Sequence, residues 1–316
     1  WSSQTRDGKT VVGYYAAWQF YDNDDRARPG NMKFQKVDVV NFAFFQTDEK
    51  GNIWGSDPWA DPITLYGPHD WSIQKKENAG HAPQFYDDNG FDDTIGPEYN
   101  YVGSQYVDVG YNVFCHRATP TGKRDCNGHV PEEGLIERAH SQGALVYPSI
   151  GGWSLSDKFP ILSGSAESRR NFAKNCVGLI REYNFDGIDI DWEWPVYAPN
   201  GGTPDDQVNF VLLLQDIRAA LDAYTAVTYP NGERTFGLTA ALPCAPEIID
   251  HQDVPGISNI LTQLNLMTLD FHGDWDHKVG VNSPLMDQPE ELFSSPERSV
   301  DGCVERWVRE GADRSK

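Results

Sequence analysis

Six short apolar runs, each bounded by turn-forming residues, punctuate the chain: VVGYYAAW at 11–18, VDVVNFAFF at 37–45, ALVYPSIGGW at 144–153, GIDIDWE at 187–193, FGLTAALP at 236–243 and LNLMTLDFHG at 264–273. Their length and their β-branched and aromatic content predict buried strands. Between them the periodicity becomes helical. Over 204–224, Val208, Val211, Leu212, Gln215 and Leu221 recur at helical spacing, Pro204 suits the first turn and Thr203 is placed to cap it. A second helix over 166–182 takes Ser165 as its cap and turns Phe172, Cys176, Leu179 and Ile180 inward; Asn184, just beyond it, tolerates the left-handed exit. A third, over 132–142, follows Pro131 and stops at Gly143. Strand then helix, repeated, is the pattern of a parallel α/β fold, either a sheet covered on both faces or a closed barrel.

Residues 46–130 break that rhythm. They are rich in Gly, Asp, Pro, Asn and Tyr and follow the C-terminal end of the second strand, the side on which α/β barrels carry their binding loops. They read as one loop-rich insertion within a single domain. Trp54, Trp59 and Trp71 are its candidate cleft residues, and the plainer reading is a solvated ornament.

The fourth run is the unusual one. FDGIDIDWEWP at 185–195 sets Asp186, Asp189, Asp191 and Glu193 among Ile and Trp. Side chains alternate across a strand, so Asp189, Asp191 and Glu193 share one face while Ile188, Ile190 and Trp192 share the other. The apolar face then packs under helices and the acidic face looks into a barrel or crevice. Carboxyl groups inside a sheet are costly unless hydrogen-bonded or neutralised, and the least costly escape is for one of them to hold a proton, in a set whose protonation belongs to the group. Glu193 is last, nearest the end where ligands reach a parallel sheet, and is the natural general acid. An acidic edge strand would leave the Ile and Trp face unexplained. A divalent-cation site is opposed by geometry, because alternate strand residues about 6–7 Å apart cannot ligate one ion without other loops.

Charge and cysteines narrow the partners. A net charge of −21 argues against a nucleic-acid groove and against docking on an anionic membrane. No window is apolar enough to span a membrane, and WSSQTRDGKT lacks the regions of a signal peptide. Aromatic residues make up 12% of the chain, more than a core alone demands, and suit the flat apolar faces of sugars. Cys115 and Cys126 bracket a turn-rich stretch that a disulfide can close in an oxidising compartment, whereas Cys176, Cys244 and Cys303 sit in regular segments. No zinc-type spacing occurs. HGDWDH at 272–277 follows the sixth strand and reads as a binding-site loop rather than a metal site.

DGIDIDWE at 186–193 matches in full the Asp-Gly-x-Asp-x-Asp-Trp-Glu signature of glycoside hydrolase family 18, the chitinases and their relatives. SIGG at 149–152 resembles that family's Ser-x-Gly-Gly motif, GYYAAW at 13–18 its first strand, and MTLDFHG at 267–273 its Met-x-Tyr-Asp motif on the sixth strand. The resemblance spans residues 11–316 apart from the insertion and implies a (β/α)8 TIM barrel. It also implies a secreted enzyme that hydrolyses β-1,4-linked N-acetylglucosamine polymers, chitin, with no cofactor or metal. Glu193 would protonate the glycosidic oxygen while the substrate's own 2-acetamido oxygen attacks, giving an oxazolinium intermediate and retention of configuration. Asp191 would orient the acetamido group and share a proton with Asp189 or Glu193, and Tyr14 and Ser149 would support Asp189. Phe44, Gly151, Gly152, Trp153, Met267 and Asp270 complete the expected substrate-binding positions. Taken apart from the family, Ser149 reads as a buried hydroxyl and Tyr14 as core.

Two departures from the family pattern stand out. Leu269 occupies the place of the sixth-strand Tyr, and only six strand units precede Lys316, so the barrel is expected to be truncated after the sixth βα unit. A sugar-binding lectin-like or toxin-complex subunit, and an endo-β-N-acetylglucosaminidase acting on N-glycans, are the rival readings.

Overall fold

A computed structural model describes residues 9–21, 28–57, 60–66, 86–87, 90–91, 134–277, 279–287 and 297–316. The strands are β1 (Val12–Ala16), β2 (Val39–Thr47), β3 (Ile53–Gly55), β4 (Tyr86–Asp87), β5 (Gly90–Phe91), β6 (Leu145–Gly151), β7 (Gly187–Asp191), β8 (Gly237–Leu242) and β9 (Gln263–Leu266). The helices are α1 (Ala60–Tyr66), α2 (Leu135–Ser141), α3 (Phe159–Gly164), α4 (Ala166–Tyr183), α5 (Asp206–Thr228), α6 (Pro246–Ile249), α7 (Val254–Ile260) and α8 (Val300–Arg309).

The main sheet runs β1-β2-β6-β7-β8-β9, all parallel, with β3 added antiparallel to β2. Tyr14 on β1 and Asp189 on β7 are three strands apart, about 14 Å on a flat sheet. Yet the Tyr14 hydroxyl donates to Asp189 at 3.0 Å. The sheet is therefore curled into part of a barrel, with helices on its outer face.

The apolar core lies between that outer face and the helices. Val40, Phe42, Val146, Ile150, Ile188, Ile190, Leu238 and Leu242 point outward from the strands and pack with Phe172, Cys176 and Leu179 of α4 and Phe210, Leu214 and Ile217 of α5. Burial of each such side chain contributes roughly 1.5–3 kcal/mol. The inner face is thereby free to carry polar groups. At its lower end Tyr147 fills the interior, and Gly187 and Gly237 leave room for its ring, with which a Cβ at either position would collide.

The α4 helix begins at its predicted cap, where Ser165 accepts the Ser168 amide at 3.2 Å, and Asn184 closes it in the left-handed conformation. Thr203 does not cap α5. Asp206 reaches back instead, accepting the Thr203 amide at 2.8 Å and the Thr203 hydroxyl at 3.0 Å. The fourth strand stops at Asp191 rather than Glu193, and the sixth at Leu266 rather than Gly273. The second runs to Thr47, two residues into the expected 46–130 insertion, whose described remainder comprises β3, α1 and the short pair β4 and β5. The α2 helix starts at Leu135, later than expected; Pro131, Trp59, Trp71, Cys115 and Cys126 lie outside the described residues.

A disulfide forms where the sequence suggested none. Cys244, just after β8, is disulfide-bonded to Cys303 of α8 across 59 residues, and Cys176 is a free buried thiol. Trp307 of the same helix donates to the Pro243 carbonyl at 2.9 Å, so α8 is fixed to the end of β8 twice.

Candidate active site

Asp189 is fully buried at the centre of the inner face. Four strands other than its own converge on it. Tyr14 of β1 and Ser149 of β6 donate to Oδ2 at 3.0 and 2.8 Å, and Thr239 of β8 and Asn265 of β9 donate to Oδ1 at 2.5 and 3.2 Å. Burial pushes the Asp189 carboxyl above its ordinary range, and the four donors pull against that shift. Burial, with Asp189 and Asp191 facing it, drives the Tyr14 phenol far up, so it remains a donor. Although half its surface is exposed, its hydroxyl is engaged at Asp189.

Two residues further along, Asp191 is 3% exposed and its Oδ1 has no hydrogen-bond partner among the described residues. Burial raises its carboxyl well above the usual range, and the charges on Glu193 and Asp189 add to the effect. Glu193 is half-buried and pushed up to about 7, first by burial and then by the charge on Asp270, while a backbone hydrogen bond from Trp153 opposes the shift. The sequence reading traced the held proton to burial and to the acids of the same strand. Desolvation is the larger cause, and the second acid comes from the far side of the mouth. The opposite face of the run is apolar: Trp192 stacks on Phe159 at 5.4 Å and meets Phe210 edge-on at 5.6 Å.

Close approach at the mouth demands glycine. Gly151 has φ +116°, and a Cβ there would collide with the Asp191 carbonyl oxygen. Gly152, at φ +94°, lies against the Phe44 ring, which a Cβ would meet at 2.8 Å. Phe44 stacks on Trp18 at 5.8 Å, and on the other side of Gly152 the Trp153 ring sits 6.3 Å from that of Tyr197. Trp18 and Trp153 are 54% and 57% exposed, so this aromatic line presents flat apolar faces to solvent beside the acids.

Across the mouth, Met267 is half-buried, and Leu269 and Asp270 are exposed, with Asp270 accepting from the Asn282 side chain at 2.9 Å. Thus Tyr14, Ser149, Asp189, Asp191 and Glu193 are linked by contact or charge, Phe44, Gly151, Gly152 and Trp153 adjoin them on one side, and Asp270 faces Glu193 from the other. Thr239 and Asn265 escaped the sequence reading, as did Trp18, Tyr197, Ser156 and Asn200. The first two carried a usable signal, a polar residue at inward parity within an apolar strand.

The glycosyl hydrolases family 18 model matches residues 10–316. The chain belongs to that family. It is 28% identical over 303 residues to Endochitinase 1 of Metarhizium robertsii, covering 96% of this chain and 57% of that protein. To Chitinase A1 of Niallia circulans it is 29% identical over 293 residues, covering 91% and 38%. The chain thus spans about half the length of the curated relatives it matches. Among solved structures, a mutant of catalytic domain 2 of the Ostrinia furnacalis Group II chitinase, in complex with penta-N-acetylchitooctaose, superposes with a TM-score of 0.66 at 23% identity, covering 97% of this chain and 62% of that one. That likeness establishes the family's barrel-type fold.

Proposed function

We propose that the protein carrying this chain is a retaining chitinase that cleaves β-1,4-linked N-acetylglucosamine polymers with help from the substrate's own acetamido group. The observation that carries the reading is the pairing of Asp191, buried with one oxygen that has no hydrogen-bond partner among the described residues, and Glu193, whose carboxyl is raised to about 7. With its carboxyl raised to about 7, Glu193 retains its proton in a large share of molecules near neutral pH and gives it to the glycosidic oxygen as the C1–O bond breaks. The acetamido oxygen bonds to C1 from the other face, and the free oxygen of Asp191 accepts a hydrogen bond from the acetamido N–H, which stays on nitrogen. Water then attacks C1, returns its proton to Glu193 and opens the oxazolinium ring, restoring the starting configuration. Asp189 is the fixed centre against which Asp191 is set. Trp18, Phe44, Trp153 and Tyr197 stack on sugar faces.

The relatives named as chitinases, and the chito-oligosaccharide held by the insect enzyme, support chitin as the substrate class. The Cys244–Cys303 disulfide supports an oxidising, extracellular location. Leu269 offers no hydroxyl at the mouth, and one missing donor to the developing charge costs on the order of 2–4 kcal/mol of transition-state stabilisation. Turnover is therefore slower than with a Tyr at this position.

Hydrolysis of a fluorogenic chitobioside by the whole protein, compared with Glu193→Gln, tests the reading. The expected result is turnover in the wild type, its loss in the variant, and inhibition of the wild type by a thiazoline analogue of the sugar. Sugar binding with no turnover in either protein would instead favour a lectin-like role.

A further inference from the structure

The backbone at Glu193 lies past the end of the sheet. β7 pairs with β6 as far as Asp191 and with β8 as far as Ile190, so the Glu193 amide and carbonyl have no ladder partner on either side. Peptide groups drawn away from water need partners, and two side chains supply them here. Ser156, 1% exposed, accepts the Glu193 N–H at 2.9 Å, while its own hydroxyl proton is shared between the carbonyls of Gly152 at 2.9 Å and Asp191 at 3.1 Å. Asn200 Nδ2 donates to the Glu193 carbonyl at 2.9 Å. The loop that carries Asn200 is itself tied down by Asp206, which accepts the amides of Val196 and Thr203 at 3.0 and 2.8 Å. All of these bonds run to peptide groups; the Glu193 carboxyl itself accepts only from the Trp153 backbone among the described residues.

We propose that Ser156 and Asn200 are positioning residues that stand in for the absent strand partners of Glu193 and hold its side chain at the half-buried mouth between Asp191 and Asp270. The inference rests on the reading of Glu193 as the general acid. With its amide and carbonyl both fixed, the side chain keeps the burial that favours its protonated form. Released on either side, it swings toward bulk water and regains ordinary carboxylate behaviour.

A carbon-13 NMR titration of the glutamate side-chain carboxyls in the whole protein tests this, with the Glu193 signal assigned by its loss in Glu193→Gln. The wild-type signal is expected to titrate near 7. Ser156→Ala and Asn200→Ala should each lower the midpoint by about one unit, and Ser156→Thr, which keeps the hydroxyl, should leave it in place. In parallel, kcat on the chitobioside should fall about tenfold in the two alanine variants with KM little changed. Should the buried Ser156→Ala fail to fold, Asn200→Ala, at a half-buried loop position, carries the same measurement. Alanine variants that lose thermal stability while the Glu193 midpoint stays put would make both residues merely structural and overturn the proposal. Because the titration needs no turnover, that outcome is distinct from a wild-type signal in the ordinary carboxyl range, which would defeat the general-acid reading and the positioning role together.

Discussion

The two ends of the carboxylate run that includes β7 hold acids of one kind in opposite circumstances. At the lower end Asp186 is buried beside Arg234 at 2.6 Å and His140 at 2.7 Å, and accepts the Val146 amide at 2.9 Å. At the upper end Asp191 is as deeply buried, but the charges acting on it, Glu193 and Asp189, are both negative and one of its oxygens has no hydrogen-bond partner among the described residues. Asp189, midway, is held by four neutral donors. Burial is common to all three and so cannot separate structural from reactive acids. Partners do. Where a guanidinium faces the buried carboxyl group the pair anchors the barrel, and where the neighbouring charges are negative the carboxyl is pushed toward its protonated form. The order of these environments along the strand also matches the side from which ligands reach a parallel barrel.

Removing Glu193, the last acid of the run and the neighbour of Asp191, should give the largest effect. Glu193→Gln is expected to lower kcat/KM on a fluorogenic chitobioside by about 10²–10⁴-fold, with the thermal midpoint unchanged or raised. At the lower end the signs exchange. Asp186→Ala leaves Arg234 largely buried without its counter-charge, and urea unfolding should show a loss of about 3 kcal/mol, while the rate per folded molecule is preserved. An Asp186→Ala protein that stayed stable but lost turnover would break the contrast between the two ends.

Titration sharpens the same contrast with a smaller effect. The Glu193 carboxyl sits near 7 in the folded chain against 4.5 ordinarily. Between those values the native state retains a proton that the unfolded chain has released. The contribution of this group to stability is therefore complete below 4.5 and is lost as pH rises through 7. Relative to Glu193→Gln, wild-type unfolding free energy should decline across that window by about 1–2 kcal/mol, after allowance for solvent at the mouth. Hydrolysis, which needs the protonated form, should fall as pH passes 7. A pH-independent stability difference between the two proteins would mean that the acid is not held apart from water.

Much of this arrangement is legible in the residues alone, and what is not has physical reasons. Strict alternation in GIDIDWE separates an Ile and Trp face from an acidic one, because the period of a strand is fixed at two. Which neighbours meet Asp189 depends on strand register, and no local rule aligns Thr239 or Asn265 with it across β8 and β9. Tyr14 and Ser149 are recognisable only through their motifs. Ser156 and Asn200 lie in turns and act on main-chain atoms, so their residue type carries no trace of the acid they serve. The Cys244–Cys303 bond joins segments 59 residues apart, a proximity that only the packing of α8 on β8 creates. Thr203 fits the usual N-cap chemistry, yet Asp206 takes over because one carboxylate can bind two loop amides where a hydroxyl binds one.

The smallest expected effect probes the middle of the strand. Ser149→Ala removes one of four donors to Asp189, and a loss of about 1 kcal/mol in urea unfolding is expected, since three donors remain and the space vacated is that of one oxygen. The distribution of donors makes a finer forecast. Ser149 and Tyr14 serve Oδ2, whereas Thr239 and Asn265 serve Oδ1. Ser149→Ala combined with Tyr14→Phe strips one buried oxygen bare and should cost more than the sum of the two single changes. Ser149→Ala combined with Thr239→Val leaves each oxygen one donor and should be close to additive. Equal coupling in the two double-mutant cycles would mean that the carboxylate turns to share whatever donors remain. Asp189 would then be a mobile acceptor, unable to fix the orientation of Asp191 above it.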